Sequence, residues 1–384
     1  MDLKYIRKEN QKKTLALLKK GGRSCKDLAK LVGVSNVAMY DILEDFSKKE
    51  IIRSSTTSST LGRKPSSYAL NEDYGVFAAL DFTPPALKIC LHNILGRELA
   101  YREIPLRRFI FASDIQKYIE TMRDMLAKLE CRNRTLRNIC ISTPGRIDPK
   151  TNYFSLVAIF DDYKNLNLQK VFQDAFGCPV LVKNNVSLAL IGEINKLDLK
   201  EKDILYLYID ESVGGALLLN GHIRNGNNNF SGEIAFSRSF DGEPASKKMQ
   251  PVFVAENYRK LVLADPFLSR EEKTVRFGQT IDDLIDLYKQ HDPYAEKIFY
   301  DVADFLSIFI MNYQSLIDCN CVLIHSYLYR CGKTFADLVE NLIQKLCSIP
   351  SRKVLFTDND EHIFIDGCIN YSIDKNIIST LQLE

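Results

Sequence analysis

Two short groups of residues near the start of the chain have the chemistry needed to contact a nucleic acid. The first group stands at the start of a predicted helix and consists of Ser35, Asn36, Val37, Ala38 and Tyr40. The second is the basic pair Arg63-Lys64, in a polar tract. Side chains at a helix start can meet base edges, whereas Arg and Lys bind phosphates or enter the minor groove.

Three predicted helices would position the first group. Their boundaries are a helix over 4–20 ended by Gly21-Gly22, a helix capped by Ser24, a turn at Gly33 and a helix capped by Ser35. This order predicts a helix-turn-helix, whose second helix enters the major groove with its N-terminal part. Met39 and Ile42 would then face the small core. A helical hairpin that binds another protein is the alternative.

A wing is predicted directly after these helices. Residues 51–53 and 68–70 are β-prone and flank a Ser/Thr-rich tract with GRKP near its end. Two short strands around such a loop would place Arg63 and Lys64 at a flexible tip. The tract could instead be a simple linker.

Charge is distributed unevenly along the chain. Residues 1–70 hold 15 Lys and Arg against 7 Asp and Glu, and the remainder holds 36 against 42. A basic segment on an acidic body is typical of a nucleic-acid-binding head. Charge alone fits a solvated surface equally well.

Length and composition narrow the class of protein. The 384 residues predict two or three domains. Ten cysteines at irregular spacing, without a CxxC motif, indicate small buried side chains rather than a metal site or disulfide framework. No run of 18 apolar residues and no apolar leader is found, so we expect a cytoplasmic protein without a membrane partner.

Beyond residue 74 the pattern alternates between strands and helices, which predicts an α/β domain. The predicted strands are 75–81, 87–93, 139–143, 180–182, 204–209, 216–219 and 322–325, and the predicted helices are 113–130 and 296–318.

A set of segments in this region resembles the ROK family of repressors, open reading frames and sugar kinases. After the GRKP wing come, in the family's order and spacing, ALDFTPPALKICLHNILGREL, ISTPGRID, VKNNVSLALIGE, VGGALLLNGHIRNG and SGEIAF. Each segment is a weak motif, whereas the ordered set is specific. Among the members of this family, the chain resembles the xylose-repressor-like and N-acetylglucosamine-repressor-like regulators.

The resemblance implies a two-lobed actin/hexokinase-like (ribonuclease H-like) domain behind a winged helix-turn-helix. We expect the head to span 1–72 and the kinase-like domain 73–384. Lobe I would comprise about 75–190 plus 366–384, and lobe II about 191–365. The C-terminal stretch should return to the first lobe as a helix.

The phosphate-binding turns of the family's kinases are altered in this chain. Asp81-Phe82-Thr83-Pro84-Pro85 stands where the family has a turn resembling DxGGT, and the two prolines remove N–H donors. Residues 210–216 replace a Gly-rich turn and carry two acidic side chains, which would repel phosphate. His325-Ser326 replaces a Gly-Gly pair. We therefore expect no ATP site.

The family's catalytic base and zinc ligands are also replaced. Asn184-Asn185 stands in place of an Asn-Asp pair, and an amide cannot act as a general base. An alignment error of one residue is the alternative, although Ala189 and Glu193 fit the family's register. Phe236 replaces a zinc-binding His, and residues 237–250 contain no Cys or His. No cofactor or catalytic residue is therefore expected.

Several sugar-side residues of the family are retained. By resemblance, a ligand would contact Pro144, Gly145, Asn184, Asn185 and Glu233. Asn185 can still hydrogen-bond a hydroxyl. Glu233 could equally be a structural carboxylate that caps backbone N–H groups.

These observations predict a transcriptional regulator, most simply a repressor of carbohydrate-metabolism genes. Its partners would be double-stranded operator DNA and a sugar or sugar phosphate effector, and it would form a homodimer or homotetramer. An active sugar kinase with an accessory head and an interaction scaffold without DNA or ligand are the alternatives.

Overall fold

The computed structural model describes most of the chain as two compact units. The described residues are 3–55, 67–106, 111–129, 135–156, 166–239, 242–347, 353–358, 360 and 362–382. Unit 1 comprises Met1–Asn195 and Ile363–Glu384, and unit 2 comprises Lys196–His362. The sequence placed the lobe boundaries at about 190 and 365. Within the described residues, no helix has the length and apolar character to cross a bilayer.

The first part of unit 1 contains three helices and a small antiparallel sheet. They are α1 (Leu3–Lys19), β1 (Arg23–Ser24), α2 (Cys25–Val32), α3 (Asn36–Lys48), β2 (Ile52–Ser55) and β3 (Ser67–Leu70). The sheet has the order β1-β3-β2, so Arg23–Ser24 adds a strand that the sequence pattern did not predict. The order of elements is that of the predicted winged helix-turn-helix. We call this part the head.

Local interactions fix the boundaries of the two central helices of the head. The Ser24 hydroxyl accepts the Asp27 N–H at 3.1 Å, and the Ser35 hydroxyl accepts the Ala38 N–H at 3.2 Å. Each cap satisfies an amide that the first helical turn leaves without a partner. Gly33 ends α2 with φ +83°, a conformation that glycine adopts without a Cβ clash. Both caps are those predicted.

A five-stranded sheet forms the centre of the rest of unit 1. Its strands are β4 (Val76–Asp81), β5 (Ala86–His92), β6 (Glu98–Pro105), β7 (Leu136–Thr143) and β10 (Val180–Asn184), and a separate hairpin pairs β8 (Arg146–Ile147) with β9 (Phe154–Leu156). The order is β10-β7-β4-β5-β6. β10, β7 and β4 are parallel, whereas β5 and β6 are antiparallel.

Helices cover both faces of this sheet. They are α4 (Ala112–Lys128), α5 (Leu168–Phe176), α6 (Asn185–Lys196) and α13 (Ile363–Thr380). One face buries Ile119, Met122 and Phe172 of α4 and α5 against the strands. The other face packs α6 and α13 around Ala79, Cys140 and Cys368. α13 contains most of the stretch 366–384, for which a helix in the first lobe is predicted, and it belongs to unit 1.

The hydrophobic core of the head is shared with α13. The same buried cluster contains Leu18, Leu28 and Phe46 from the head together with Ile373 and Ile377 from α13. The side chains are apolar and almost fully buried, so each contributes about 1.5–3 kcal/mol of transfer free energy. The head and the last helix of unit 1 therefore pack as one core.

Unit 2 contains a second five-stranded sheet with the same plan. Its strands are β11 (Ile204–Ile209), β12 (Val213–Leu219), β13 (His222–Ile223), β14 (Cys321–Ser326) and β15 (Lys353–Thr357). The order β13-β12-β11-β14-β15 mirrors that of unit 1: three parallel strands on one side and two antiparallel strands on the other. The strand topology is therefore duplicated in the chain.

The helices of unit 2 are α7 (Ser246–Met249), α8 (Pro251–Ala264), α9 (Arg270–Phe277), α10 (Ile281–Lys289), α11 (Pro293–Ile317) and α12 (Lys333–Leu346), with short 3-10 helices at Ile234–Phe236 and Tyr327–Cys331. Phe299, Leu306 and Phe335 on the two long helices α11 and α12 are buried against Leu207 and Ile324 of the sheet. The helix predicted over 296–318 corresponds to most of α11.

A buried histidine in unit 1 gives stability a defined pH dependence. His92 ends β5, stacks on Phe77 with ring centroids 5.4 Å apart, and lies 3.4 Å from the Ser372 hydroxyl of α13. Burial lowers the pKa of His92 to about 4, although its hydrogen bond with the Asn93 carbonyl opposes the shift. Protonation therefore favours the unfolded chain, in which the pKa is near 6.5.

We expect the free energy of unfolding to fall as the pH is lowered from about 6.5 to 4. The contribution of His92 to this slope should be roughly 1.4 kcal/mol per pH unit. The measurement is urea unfolding of the wild type and His92→Asn over this range, since other titrating groups are common to both. Parallel pH profiles would contradict the assignment.

Candidate functional site

The carboxyl ends of the three parallel strands of unit 1 bring four of the five predicted ligand residues together. Asp81 ends β4, Thr143 ends β7 and Asn184 ends β10. The ladders pair Asp81 with Ser142 and Thr143 with Asn184. Ligands of open α/β sheets bind outside this edge of the strands. Pro144, Gly145, Asn184 and Asn185 all lie at it.

A hydrogen-bond network connects the residues at this edge. The Thr83 N–H and hydroxyl donate to Oδ1 of Asp81 at 3.2 and 2.7 Å, and the Ser142 hydroxyl donates to the same atom at 2.8 Å. Nδ2 of Asn185 donates to the Thr83 hydroxyl oxygen at 3.1 Å. The turn after β4 is thereby joined to the start of α6.

Asp81 is the buried acid of this network. Its Oδ2 atom has no hydrogen-bond partner among the described residues. Burial raises the pKa of Asp81 to about 6, whereas hydrogen bonds from Thr83 and Ser142 oppose the shift. A carboxyl with such a pKa can be partly protonated near neutral pH and can then donate a hydrogen bond.

The side-chain amides of Asn184 and Asn185 form hydrogen bonds with nearby backbone groups. Asn184 accepts the Ser187 N–H at 3.2 Å and donates to the Gly145 carbonyl at 3.1 Å. Oδ1 of Asn185 accepts the Val186 N–H at 2.9 Å, while Nδ2 is bonded to Thr83. Gly145 has φ +89°, so it takes the left-handed conformation. The two amides fix the loop and the helix start around the edge.

Glu233, the fifth predicted ligand residue, belongs to unit 2. It is half-buried and precedes the short helix Ile234–Phe236. The preceding residue, Gly232, has φ +92°, and a Cβ built on it would lie 2.2 Å from the Gly215 carbonyl oxygen. The Gly232 carbonyl accepts the Gly215 N–H at 2.8 Å. The loop that carries Glu233 is therefore held against β12 by direct backbone contact.

The stretches compared with the second and third phosphate turns have defined structures. Residues 213–216 are part of β12, which starts at Val213 and is longer than the predicted strand 216–219. The Gly215 N–H is bonded to Gly232, so it does not point to an open turn. His325 is buried in β14 and stacks on Tyr208 with centroids 5.2 Å apart.

The start of α3 presents the predicted base-reading residues at the surface of the head. Val37 is 73% exposed and Tyr40 is 56% exposed. Ser35 and Asn36 are also exposed, and Ala38 is half-buried. Met39 and Ile42 lie in the core, as predicted. Arg63 and Lys64 lie outside the described residues.

A cavity that the sequence pattern did not predict lies within unit 2. It has a volume of about 900 Å³ and lies between α8 and α11, with an apolar wall that includes Val254, Leu261 and Phe305 and with Lys260 and Asn312 among its polar lining. None of the predicted ligand residues lines it. Its apolar residues resemble ordinary core positions in the sequence, so no local motif marks it.

The sequence did not predict the network around Asp81, because the lost glycines and the two prolines of this turn indicate only the loss of a phosphate site. A signal was present in the sequence. Asp81 and Ser142 each stand at the end of a buried strand, and the ends of neighbouring parallel strands meet. Among the described residues, no group of three or more His, Cys, Asp or Glu side chains is placed to hold a metal ion.

Two duplicated sheets of this topology, each covered by helices, define the actin-like kinase fold. A crystal structure described as a ROK family transcriptional regulator, homolog of the E. coli MLC protein, superposes with a TM-score of 0.78 at 16% identity, covering 98% of this chain and 100% of that one. The sequence profile of the ROK family matches residues 98–241. Residues 98–241 therefore form a ROK family domain.

Curated relatives include both repressors and kinases. A xylose repressor from Caldicellulosiruptor bescii is 20% identical over 366 residues, covering 89% of each chain. A beta-glucoside kinase from Listeria innocua is 27% identical over 228 residues, covering 58% of this chain and 72% of the kinase. The chain is therefore similar to ROK repressors along most of its length and to ROK kinases over a shorter region.

Proposed function

We propose that this chain is a DNA-binding transcriptional regulator, most simply a repressor of carbohydrate-metabolism genes, whose kinase-like part senses a ligand without phosphorylating it. The observation that carries the proposal is the exposed start of α3 on a capped helix-turn-helix. Val37 and Tyr40 are large and solvent-exposed there, although the opposite face of α3 is completely buried.

The geometry of the head supports DNA as its partner. A helix whose start is exposed and whose turn is closed by Gly33 can enter a major groove with Ser35, Asn36 and Ala38 beside the bases. β2 and β3 lead to and from the segment that contains Arg63 and Lys64. The similarity to a xylose repressor over 89% of the chain favours the same role.

The candidate site supports recognition in preference to phosphate transfer. Both polar atoms of the Asn185 amide are bonded to neighbouring groups, and neither is a base. The Gly215 N–H also donates a hydrogen bond within the chain, to the Gly232 carbonyl. We propose that ATP and zinc are not cofactors of this chain.

The effector that we propose is a sugar or a sugar phosphate. The groups near the strand ends of unit 1 are amides, hydroxyls and a buried carboxyl, which suit the hydroxyls of a sugar. Pro144, Gly145, Asn184 and Asn185 would contribute within unit 1, whereas Glu233 of unit 2 stays a separate predicted ligand residue. D-xylose and D-glucose are the first probes, because relatives include a xylose repressor and a structure of a ROK glucokinase with glucose.

A homodimer or homotetramer is the assembly that we propose. Helix-turn-helix proteins commonly bind palindromic sites as dimers, with one head on each half-site. A ligand that changes the spacing of two heads would change operator affinity by a factor of roughly 5–150.

Selection from a random duplex DNA library with the full chain tests the function. We expect enrichment of a palindromic duplex that binds with a Kd on the order of 10⁻⁸ M at physiological salt. Fluorescence anisotropy with and without D-xylose or D-glucose then measures the effector response. Failure to enrich any sequence over repeated rounds would count decisively against a regulator.

An active sugar kinase is the second candidate, since beta-glucoside kinases are among the relatives and Asp81 keeps an unpaired buried oxygen. A coupled assay with ATP over a panel of sugars distinguishes the two. We expect no turnover above the rate without enzyme. Turnover that requires Asp81 and is lost in Asp81→Asn would favour the kinase.

The basic pair of the wing should contribute to affinity through phosphates. Replacing Arg63 and Lys64 together with Ala should weaken binding to all duplexes similarly. It should also reduce the slope of log K against log[salt] by up to about 2, because each lost phosphate contact removes roughly 0.9. Affinity measured from 50 to 300 mM salt checks this. The matched control is Lys247 and Lys248 changed to Ala in unit 2, where the slope should not change.

A further inference from the structure

The chain passes between unit 1 and unit 2 at two positions only, and each is the end of a helix in unit 1. The first passage follows Asn195, near the C-terminus of α6, and the second precedes Ile363, the first residue of α13. Lys196 at the end of α6 bonds Asp358 at 3.0 Å and Asp360 at 3.1 Å, just before α13 starts. These ion pairs therefore link the two connecting segments to each other.

The two helices touch through glycine. A Cβ on Gly192 of α6 would lie 2.6 Å from the Ile363 carbonyl oxygen, and a Cβ on Gly367 of α13 would lie 2.0 Å from the Leu188 carbonyl oxygen. The nearest atom to a Cβ at each of these glycines is a backbone carbonyl oxygen of the facing helix, so α6 and α13 are in direct, close-packed contact. α6 also starts at Asn185, inside the hydrogen-bond network of the candidate site.

The C-terminal half of α13 packs in the core of the head. Ile373 and Ile377 lie in the core of the head, and Asp374 forms an ion pair with Lys19 of α1. The Tyr74 hydroxyl, at the junction between the head and β4, donates to Asn376 at 3.2 Å and lies 3.2 Å from the Thr380 hydroxyl. α13 has 18 residues and is about 27 Å long. It therefore reaches from the unit boundary to the head.

We infer that α13 is the element that transmits a change at the candidate ligand site to the DNA-binding head. This inference rests on the proposed function for its output, and it adds how the head is regulated. A ligand that favours one position of α6 would favour one packing of α13, and thereby one of two arrangements of the head. The contacts at both ends of α13 are needed for this coupling.

Gly367→Ala tests the inference at the ligand-proximal end, because its Cβ has no room at Leu188. In the full-length chain without ligand, we expect amide hydrogen exchange in α1 and α2 to rise at least about threefold. We also expect affinity for the selected duplex to change at least about threefold, with a smaller response to sugar. Exchange in α1 and α2 that stays at the wild-type rate in folded Gly367→Ala would overturn the inference.

Two controls separate transmission from general instability. Gly278→Ala, at the end of α9, places a Cβ where the nearest atom is 3.8 Å away, so it should change neither exchange nor affinity. Phe172→Leu weakens the opposite face of the sheet, where α13 does not pack. The Phe172→Leu substitution should lower the stability of the chain without a selective rise of amide hydrogen exchange in α1 and α2. If amide hydrogen exchange in α1 and α2 rises equally in Phe172→Leu and Gly367→Ala, the inference is also overturned.

Tyr74→Phe tests the other end and serves if Gly367→Ala does not fold. The ring remains, while the bonds to Asn376 and Thr380 are lost. Exchange should rise along α13 as far as residues 363–370, and the affinity for DNA should change. A rise confined to residues 374–382 would contradict transmission. If the wild type binds no DNA, the proposed function fails, whereas the exchange measurements still decide whether α13 couples the two ends.

Discussion

Changing Val37 and Tyr40 together to Glu should reduce affinity for the selected duplex by at least about 100-fold. Both side chains are exposed at the start of α3, where the proposed function places the DNA. Phosphate attraction supplies much of the binding free energy, so two carboxylates at the contact surface would oppose it directly. Fluorescence anisotropy at fixed salt measures the loss.

The matched control uses the same substitutions at exposed helical positions of unit 2. Val275 of α9 is 68% exposed and Tyr300 of α11 is 44% exposed. Glu at both positions should leave DNA affinity within about twofold, since exposed substitutions outside contact surfaces have small effects on folding. If both double variants bind equally well, α3 is not the DNA-reading helix.

The second large effect is expected at Gly232. Its positive φ is unfavourable for any other residue, and its Cβ would collide with the Gly215 carbonyl oxygen at 2.2 Å. The Gly232→Ala variant must therefore separate the Glu233 loop from β12. We expect the free energy of unfolding of unit 2 to fall by about 3–5 kcal/mol, together with loss of sugar binding.

Gly226→Ala is the matched control in the same loop. Gly226 also has a positive φ, at +75°, although a Cβ there would meet its nearest atom at an ordinary 3.5 Å. Only backbone strain of about 1–2 kcal/mol is then expected. The chain contains no Trp, so urea unfolding is followed by circular dichroism. Equal destabilisation by the two variants would show that the contact with Gly215 is unimportant.

Local sequence signals predicted the boundaries of the two central helices of the head. Ser24, Gly33 and Ser35 stand at the helix boundaries that their side chains or backbone freedom favour. The alternation of strands and helices also predicted the α/β class, because buried parallel strands are short apolar runs. The resemblance to the ROK family added the two-lobed plan, and the fold comparison agrees with it.

Other features depend on residues that are far apart in sequence. Lys19 and Asp374 are separated by 355 residues, and no local pattern relates α1 to α13. The bond between Thr83 and Asn185 spans 102 residues and requires the parallel order of β4, β7 and β10. Sequence reasoning identified Asn185 as a lost base, whereas its bonds to the backbone and to Thr83 became visible only in the structure.

The shared core of the head has a consequence for protein synthesis. During translation, α1, α2 and α3 emerge from the ribosome early. Ile373 and Ile377, which fill the same core, are translated much later. An incomplete nascent chain would therefore carry a head with an exposed apolar surface and an unfinished interior. Under the proposed function, premature termination would yield fragments that compete poorly for operators, so that only completely translated molecules occupy them.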